Sequence, residues 1–541
     1  MGIQAIIVAV VLVLMLVALM REALRPGLIL FTAVVVLLCA GIINPEEALK
    51  GFSNKGMITV ALLYLVSEGV RKSGLLERIV YRVLPQKNVS ITRAGLRFYP
   101  IVSFISAFFN NTPVVVIFAP MIKNWARKMK LPPTKFLIPL SYATVIGGIC
   151  TLIGTTTNLV LHGMLLQEHR EEVKAAASGT ADGILIRYGI DGMHMFELSK
   201  VGIVIAIVGL IYLIFFSQYL LPAKRKAEEE SEVTGIPPGM ARYEVMLGNR
   251  FPGLGKTLRD FDFYRRYGGH VRAISRGGAI QEGDYTDLRM THDDTLIIDA
   301  PADFHQTWGE SKVFWMINRV GDYDPPMGTK KRWLALGLLV FMILGATLGE
   351  LPIVTDHFKF IKLDMFFFAC VTTIIMAWTR MFSPKKYTKY LSWDVLITIA
   401  CAFAISAAMT KSGFADFVGG YIISLTDSVQ GSRWAIYIIL AALFLITNIF
   451  TELITNNAAA ALAFPLALSV AENLDVNPLP FVICVCFAAS SAFSTPIGYQ
   501  TNLIVQGVGG YRFTDFVKVG LPLNLIVFIL SVFLIPFVYG L

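Results

Sequence analysis

The sequence has little of what an enzyme requires. Only 16% of its 541 residues are charged, and its seven histidines form no cluster. It contains no His-Glu-x-x-His motif, no phosphate-binding glycine-rich loop, and no paired acid, nucleophile or metal set. The six cysteines all lie in apolar segments, and Cys484 and Cys486 do not have metal-site spacing, so neither a disulfide framework nor a metal site is expected. These absences argue against an enzyme.

Apolar residues are abundant instead. The mean hydropathy is +0.63 and 55% of the residues are hydrophobic, which predicts a multi-pass protein of the cell membrane. The formal charge of +9 then reports the orientation of the loops and does not indicate nucleic acid. The run Ile3–Met20 has no basic region before it and no small-residue cleavage site, so we expect a spanning helix and not a signal peptide.

One polar stretch occurs twice inside the apolar sequence. Residues 110–112 read Asn-Asn-Thr, and residues 455–457 read Thr-Asn-Asn at the equivalent position. Downstream, residues 150–163 align without a gap to residues 494–507, with matched glycines and asparagines. Amides and hydroxyls at this depth are costly unless they meet one another, broken backbone, ions or substrate. A duplicated polar cluster of this kind is typical of a secondary transporter built from repeats.

The apolar runs predict ten spans and two re-entrant hairpins. Spans are expected near residues 4–20, 27–43, 57–70, 136–161, 198–219, 333–349, 361–379, 392–409, 480–505 and 520–539. The polar, proline-marked tips place hairpins at about 96–122 and about 434–468, and the basic stretch 72–95 suits an interfacial helix. Basic loops lie inside by the positive-inside rule, and 162–197 forms an outside loop. Each half has five spans, an odd number, so the second repeat is inverted.

The composition divides the chain into three parts. Residues 1–221 form a first membrane repeat and residues 333–541 a second one, while 222–332 is soluble in character and falls on the cytoplasmic side. It begins with a charged linker at 224–232 and a turn at 235–239. The predicted strands Tyr243–Leu247, His270–Arg276 and Asp294–Asp299, with a helix that opens at Gly253–Asp260, make a small α/β module with its core at 242–308.

Several of these segments resemble a known family. Residues 106–112 and 451–458 are similar to the two hairpin-tip Ser-Asn-Thr motifs of the divalent anion/sodium symporters (DASS). Residues 154–158 and 498–502 occupy the places of that family's Gly-Thr-Pro-Pro-Asn segments. Residues 498–503 and 509–516 resemble the Sac1-like, or sulfur-deprivation-response, permease branch. In that branch a cytoplasmic TrkA-C (RCK C-terminal) domain separates the two halves, and residues 242–300 resemble one copy of it.

The resemblance implies an elevator fold of two inverted repeats, usually a homodimer, that carries a small dianion together with sodium ions. One sodium site would use Ser106, Asn110, Asn111 and Gly154. The other would use Thr451, the backbone of Ile454, Asn456 and Gly498. The substrate, a sulfate-like anion or a dicarboxylate, would lie between them and touch Asn111, Thr112, Thr155, Asn456, Asn457 and Tyr499.

The soluble module would be regulatory. Ligand sites in this fold class commonly form between two copies, so a nucleotide or cyclic dinucleotide would bind across the two-fold axis of a dimer. Arg272 and Arg276 are candidate phosphate contacts because they alternate along one strand face, although both could equally be solvated.

Departures from the family pattern leave alternatives open. Tyr499 and Gln500 stand where the pattern has Thr-Pro, which narrows the pocket and ranks sulfate-like anions above dicarboxylates. Glu452, the lone acid of its hairpin, is either a proton carrier or a capped or water-facing acid at the turn. Two alternative functions therefore stand beside sodium symport. One is proton-coupled anion transport, and the other is a membrane sensor that has lost transport.

Overall fold

The computed structural model describes most of the chain. The described residues are 2–21, 23–85, 89–178, 183–222, 240–276, 279–281, 285–292, 294–301, 303–309, 311, 313–319, 328–349, 351, 354, 357, 362–426, 432 and 434–541. The charged linker expected at 224–232 and the turn expected at 235–239 lie outside the described residues.

Helices dominate the described chain. Before residue 222 they are α1 (Ile3–Met20), α2 (Pro26–Cys39), α3 (Pro45–Lys50), α4 (Lys55–Lys72), α5 (Leu75–Val83), α6 (Ile91–Ser106), α7 (Asn111–Lys128), α8 (Leu137–Gly148), α9 (Thr156–Ala177), α10 (Ile184–Arg187), α11 (Ser199–Phe215) and α12 (Ser217–Leu220). The middle of the chain adds α13 (Phe263–Tyr267) and α14 (Phe304–Trp308). After residue 328 they are α15 (Thr329–Gly349), α16 (Met365–Trp378), α17 (Tyr387–Tyr390), α18 (Trp393–Lys411), α19 (Phe414–Ser424), α20 (Trp434–Leu453), α21 (Asn456–Leu474), α22 (Leu479–Ser490), α23 (Gln500–Gly509) and α24 (Phe513–Tyr539).

Many of these helices are apolar enough for a bilayer. Among the described residues, α1, α15, α18, α20, α21 and α24 are both long and apolar enough to cross a membrane, and α2, α11, α16, α19 and α22 are shorter apolar helices. Their lengths follow from uninterrupted apolar sequence, and local signals fix the starts of some helices of the bundle. For example, Asn54 caps α4 through its side chain, and Pro26 opens α2 where a missing N–H costs nothing.

The two halves of the chain pack on each other in matched pairs. Helix α4 packs against α16 of the other half, and α2 packs against α18. The tip helix α7 packs against α23, and α21 packs against α9. The same Lys-Ser-Gly turn ends both α4 and α18, where Gly74 and Gly413 take left-handed φ values of 70° and 71°.

The expected hairpins fall on the helix pairs α6–α7 and α20–α21, whose polar tips separate the two helices of each pair. The runs expected at 136–161 and 480–505 are each interrupted: α8 ends at Gly148 before α9 begins at Thr156, and α22 ends at Ser490 before α23 begins at Gln500. The outside loop expected at 162–197 is wrong in its first half because α9 continues to Ala177. Its polar residues bond one helical turn apart there, as between Gln167 and Glu171 at 3.1 Å.

The middle of the chain folds as a five-stranded antiparallel sheet, the sheet module. Its strands are β1 (Met240–Leu247), β2 (His270–Arg276), β3 (Ala279–Ile280), β4 (Thr295–Pro301) and β5 (Phe314–Arg319), in the order β3-β2-β4-β1-β5. The predicted strands are therefore present. The helix predicted at Gly253–Asp260 is wrong, because this segment forms turns in which Gly255 has a φ of 76°.

Aromatic side chains fill one face of the sheet, where Phe251 meets Phe261, Tyr267 and Phe314 at ring-centroid distances of 4.9, 5.8 and 5.9 Å. On the other face, Arg242 pairs with the fully buried Asp299 through bonds of 2.8 and 3.1 Å, and Arg272 joins at 2.9 Å. The hydrogen bond from Arg242 lowers the pKa of Asp299, and Arg272 adds to this effect against the opposing effect of burial. The stability that this carboxylate contributes is thus present above its unfolded pKa and is lost as the pH falls through the folded one.

Replacing Asp299 with asparagine is expected to destabilise the sheet module by about 3–5 kcal/mol, because Arg242 would remain buried without its counter-charge. Limited proteolysis of the full chain in increasing urea measures this, with cuts between β1 and β5 as the signal. The matched control is Asp287→Asn, which breaks an exposed pair with Arg259 at 3.3 Å and should change stability by less than about 1 kcal/mol. Equal resistance of the two variants would contradict the role given to Asp299.

Candidate functional site

Four helices of the membrane part begin at polar residues in its interior. Asn111 is the first residue of α7, and Asn456 is the first residue of α21. Thr155 precedes α9 and Tyr499 precedes α23, each in extended backbone. Helix N-termini offer unpaired backbone N–H groups and a partial positive charge. The arrangement can therefore stabilise an anion without a buried lysine or arginine.

Each tip carries the same internal hydrogen bond. The Ser106 hydroxyl donates to Oδ1 of Asn111 at 2.7 Å, and the Thr451 hydroxyl donates to Oδ1 of Asn456 at 2.9 Å. The four side chains are buried, with Asn456 the most accessible at 9%. Two oxygen atoms thus lie side by side at each tip, in the same sequence spacing.

Each interrupted helix is also held in the same way. Nδ2 of Asn158 donates to the carbonyl of Thr151 at 2.8 Å, and Nδ2 of Asn502 donates to the carbonyl of Thr495 at 3.0 Å. The hydroxyls of these threonines accept the N–H of Gly154 at 3.2 Å and of Gly498 at 3.1 Å. Side chains therefore satisfy backbone groups that regular helix would otherwise pair.

Contacts between the halves connect each tip to the interruption in the other half. Nδ2 of Asn111 donates to the Tyr499 hydroxyl at 2.6 Å. Thr112 reaches Oε1 of Gln500 at 3.4 Å. In the mirrored position, Oδ1 of Asn457 accepts the hydroxyls of Thr156 at 3.1 Å and Thr157 at 3.3 Å. Polar residues of each tip therefore contact polar residues at the interruption of the other half.

Glycines keep space open around the tip oxygens. A Cβ on Gly148 would lie 2.5 Å from Oδ1 of Asn111 and 2.8 Å from Thr155. A Cβ on Gly154 would lie 2.4 Å from the carbonyl oxygen of Gly148. In the other half, a Cβ on Gly498 would lie 3.0 Å from the carbonyl oxygen of Thr451. Gly148 thus lies close to a tip side chain, whereas Gly154 and Gly498 lie close to backbone carbonyls, and a larger residue at Gly148 or Gly154 would force a shift.

The oxygen atoms at the tips suit a hard monovalent cation. Sodium takes oxygen ligands, and hydroxyl, amide and carbonyl oxygens meet at each tip. Two buried oxygens near the tips, the Thr455 hydroxyl and Oδ1 of Asn158, have no hydrogen-bond partner within the described structure. Ile454, expected to contribute its backbone, is buried directly before Thr455. The residues present therefore fit a coupling ion. Histidine, cysteine and acidic side chains form no group of three or more that could hold a metal within the described ranges.

Within the described ranges, the hydrogen bonds to the Glu452 carboxylate all come from N–H donors. Its Oε1 accepts the N–H of Ser494 at 2.7 Å and Nδ2 of Asn524 at 2.8 Å, and its Oε2 accepts the N–H of Thr495 at 2.9 Å. Three N–H donors suit an anionic acceptor that caps the interrupted backbone. This geometry favours the reading of Glu452 as a capping acid over that of a proton carrier.

Sequence reasoning missed part of the site. Asn110 lines a small cavity with Thr156 and with two residues of α4, Tyr64 and Ser67. Thr156 could have been identified from the sequence, because it lies in the segment that interrupts the apolar run. Nothing in the local sequence of α4 identifies Tyr64, because the residues that line the cavity from outside α4 come from distant parts of the chain.

The two arginines proposed as phosphate contacts lie away from this cluster, in the sheet module. Arg272 bonds Asp299 at 2.9 Å, and Arg276 forms two bonds with Asp294, at 2.7 and 2.9 Å. The hydrogen bond with Asp294 raises the pKa of Arg276. A phosphate would therefore have to compete with a carboxylate at both positions.

Comparison with known proteins gives a consistent result. The family model described as citrate transporter matches residues 14–367 and 358–540. An uncharacterized transporter of Synechocystis is 26% identical, over 94% of this chain and 92% of its own length. A putative sulfur deprivation response regulator of Chlamydomonas reinhardtii is also 26% identical, over 93% and 96% of the two chains. A probable sodium/sulfate cotransporter of the same organism is 21% identical, over 91% and 84%.

Proposed function

Because this chain belongs to the citrate transporter family and is a multi-pass membrane protein, we propose that it is a sodium-coupled carrier of a small dianion. The observation that carries the proposal is the paired contact between tips and interruptions, Asn111 with Tyr499 and Asn457 with Thr156. Each contact joins a helix N-terminus of one half to that of the other. A dianion held there would accept hydrogen bonds from four helix starts.

Sodium coupling follows from charge. Among the residues that the structure describes, no lysine or arginine side chain meets the tips and interruptions, so a dianion there needs co-bound cations to offset its charge. The paired oxygens of Ser106 with Asn111 and of Thr451 with Asn456 supply two matched places for them. Relatives named sodium/sulfate cotransporters support this choice of ion.

A compact oxyanion is the substrate we favour. The Tyr499 hydroxyl and the Gln500 amide occupy the interruption in the second half, where they take up space and offer hydrogen bonds. Relatives with sulfate in their names support this ranking, whereas the name of the family points to the carboxylate citrate. Both classes therefore belong in the test.

Movement would follow the elevator scheme of two inverted repeats with re-entrant hairpins. In this proposal, α6–α9 and α20–α23 travel together because the tip and interruption contacts join them. The stationary part, which also makes the homodimer contact, is then formed by α2, α4, α16 and α18. These helices pack in matched pairs and carry no tip residue.

Uptake into proteoliposomes tests the function. Radiolabelled sulfate should accumulate only with an inward sodium gradient, in a steep dependence on sodium that requires more than one ion. Succinate and citrate should compete less well than thiosulfate. Equal accumulation driven by a pH gradient in sodium-free buffer would contradict sodium coupling and support proton coupling through Glu452.

A second candidate is a membrane sensor that has lost transport, which the similarity to a putative sulfur deprivation response regulator favours. Such a protein would bind sulfate without moving it. Binding by the purified chain, combined with no uptake at any sodium gradient, would identify a sensor.

The sheet module is proposed to be a regulatory TrkA-C-like domain, paired across a homodimer and able to bind a nucleotide or cyclic dinucleotide. One copy has a small core of its own, which favours pairing. Equilibrium dialysis of a labelled cyclic dinucleotide against the full chain measures the binding. No retention by the full-length dimer would remove the nucleotide from the proposal.

A further inference from the structure

Strand β1 of the sheet module is buried on both of its faces. Tyr243, Val245 and Leu247 point into the aromatic core of the module. The alternate residues Arg242, Glu244 and Met246 are also buried, at 8%, 7% and 2% exposure. These three residues form the docking face. A buried acid on such a face needs a partner, and Met246 lies in the same apolar core as the membrane helices.

The partners of the docking face are the ends of two membrane helices. The Glu244 carboxylate lies 3.1 Å from Nζ of Lys123 and 3.5 Å from Nη1 of Arg127, both near the end of α7. A Cβ on Gly507, near the end of α23, would lie 2.6 Å from Cε of Met246. The sheet therefore covers the last turns of α7 and α23 with one ionic and one apolar contact.

The other ends of these two helices form the candidate site. Helix α7 starts at Asn111, and α23 starts after Tyr499, which bond each other at 2.6 Å. At 1.5 Å per residue, Lys123 lies about 18 Å along α7 from Asn111. Both positions belong to one helix, which has Pro120 between them. The sheet module thus contacts the two helices that hold the tip-to-interruption contact.

The chain also joins the sheet module to helices that carry no tip residue. Strand β5 ends at Arg319, and α15 begins at Thr329. Helix α15 packs against α16 and α4. The module is therefore connected both to the part that carries the site and to the part against which it packs.

We propose that the docking face is an intramolecular latch whose partner is the paired ends of α7 and α23, closed in the conformation described here. The latch rests on the proposed carrier function, since it acts only if α7 and α23 move relative to α4 and α18. Because the chain ties the module to α15, which packs on α4 and α16, such movement separates the docking face from α7 and α23. The closed latch then stabilises one state, and its opening releases the helices. A regulatory ligand would act by changing the latch.

Spin-label distances test the latch directly. Spin labels are attached at Lys128→Cys, the exposed last residue of α7, and at Lys256→Cys, an exposed residue of the module. The labelled chain also carries Cys39→Ser, which removes the exposed native thiol. With the latch residues unaltered, the two labels should give one narrow distribution of distances. Glu244→Gln should broaden it or add a second, longer distance. The exchanged pair Lys123→Glu with Glu244→Lys, combined with Arg127→Gln so that no second cation faces the new lysine, should restore the narrow distance. Asp287→Asn is the control that leaves the distance unchanged.

Uptake by the same variants tests the regulation. Glu244→Gln should raise the initial rate about fivefold, and the exchanged pair should return it to the starting value. An unchanged distance in Glu244→Gln overturns the docking, and an altered distance with an unchanged rate overturns the regulation. If the unaltered chain carries no anion, the proposed function fails, and the distances alone then decide whether the docking face binds α7 and α23.

Discussion

Replacing either tip asparagine, in Asn111→Ala or Asn456→Ala, is expected to abolish sulfate uptake while the protein still reaches the membrane. Each amide bonds a hydroxyl of its own tip, Ser106 or Thr451, and Asn111 also reaches Tyr499 in the other half. Loss of either amide removes an oxygen from the proposed cation site. Loss of the Asn111 amide also removes its hydrogen bond to Tyr499 in the other half. The cost in stability is only about 1–3 kcal/mol, because one hydroxyl loses its acceptor.

The matched control is an asparagine further along α21, the helix that begins at Asn456. Asn473 lies near the end of α21 and donates to the carbonyl of Ser469 at 2.8 Å, away from the tip. Asn473→Ala should transport at a near-normal rate. Surface labelling of all three variants confirms equal delivery to the membrane. Normal uptake by Asn111→Ala or by Asn456→Ala would remove the tips from the site.

A single methyl group at Gly148 is expected to lower uptake by about a hundredfold, since small displacements of a binding group have effects of this size. The added Cβ would lie 2.5 Å from Oδ1 of Asn111, closer than any real contact, so the amide or the backbone of α8 must shift. Gly148→Ala therefore tests whether the position of Asn111, and not only its presence, matters. Uptake is compared at equal amounts of protein in the membrane.

Gly337→Ala is the control for this substitution. Gly337 lies in α15, and a Cβ there would meet nothing within 4 Å. This variant should transport normally and gain slightly in helix stability. If Gly148→Ala transports as well as Gly337→Ala, the close approach of Gly148 to the tip has no functional role.

The sequence predicts the two tips and the two interruptions because their surroundings are so apolar. Amides at Asn111 and Asn456 inside such runs need partners, whatever the details of the fold. The repeat also predicts that equivalent residues of the two halves make equivalent contacts. Asn158 and Asn502 illustrate this, because the side chain of each donates to the carbonyl of the residue seven positions earlier. Local spacing suffices for these features.

Features that depend on distant partners could not be predicted in this way. Tyr64 joins the site only because α4 packs beside the first tip, and Asn524 reaches Glu452 from 72 residues away. The polar end of α9 has the composition of a loop, yet it continues as a helix through bonds one turn apart. The segment at Gly253–Asp260 has a helix-like pattern, but turns and a bridge between Thr257 and Arg289 replace the helix.

The docking of the sheet module is a further example. Alternation along β1 predicts a strand, and it does not reveal that Glu244 lies against Lys123, which is 121 residues away in the sequence. The burial of both strand faces is visible only once α7 and α23 are in place. Charge pairs between separately folding parts leave no periodic signal in the sequence.

Binding of sulfate to the purified chain, titrated by calorimetry in sodium buffer and in choline buffer of equal ionic strength, tests most directly whether the tips bind cation and anion together. Tight binding is predicted only in sodium, with affinity that rises as sodium rises, and Asn111→Ala should remove the sodium dependence together with the heat of binding. Equal sulfate affinity in choline and in sodium, or an unchanged titration of Asn111→Ala, would contradict a joint site at the tips.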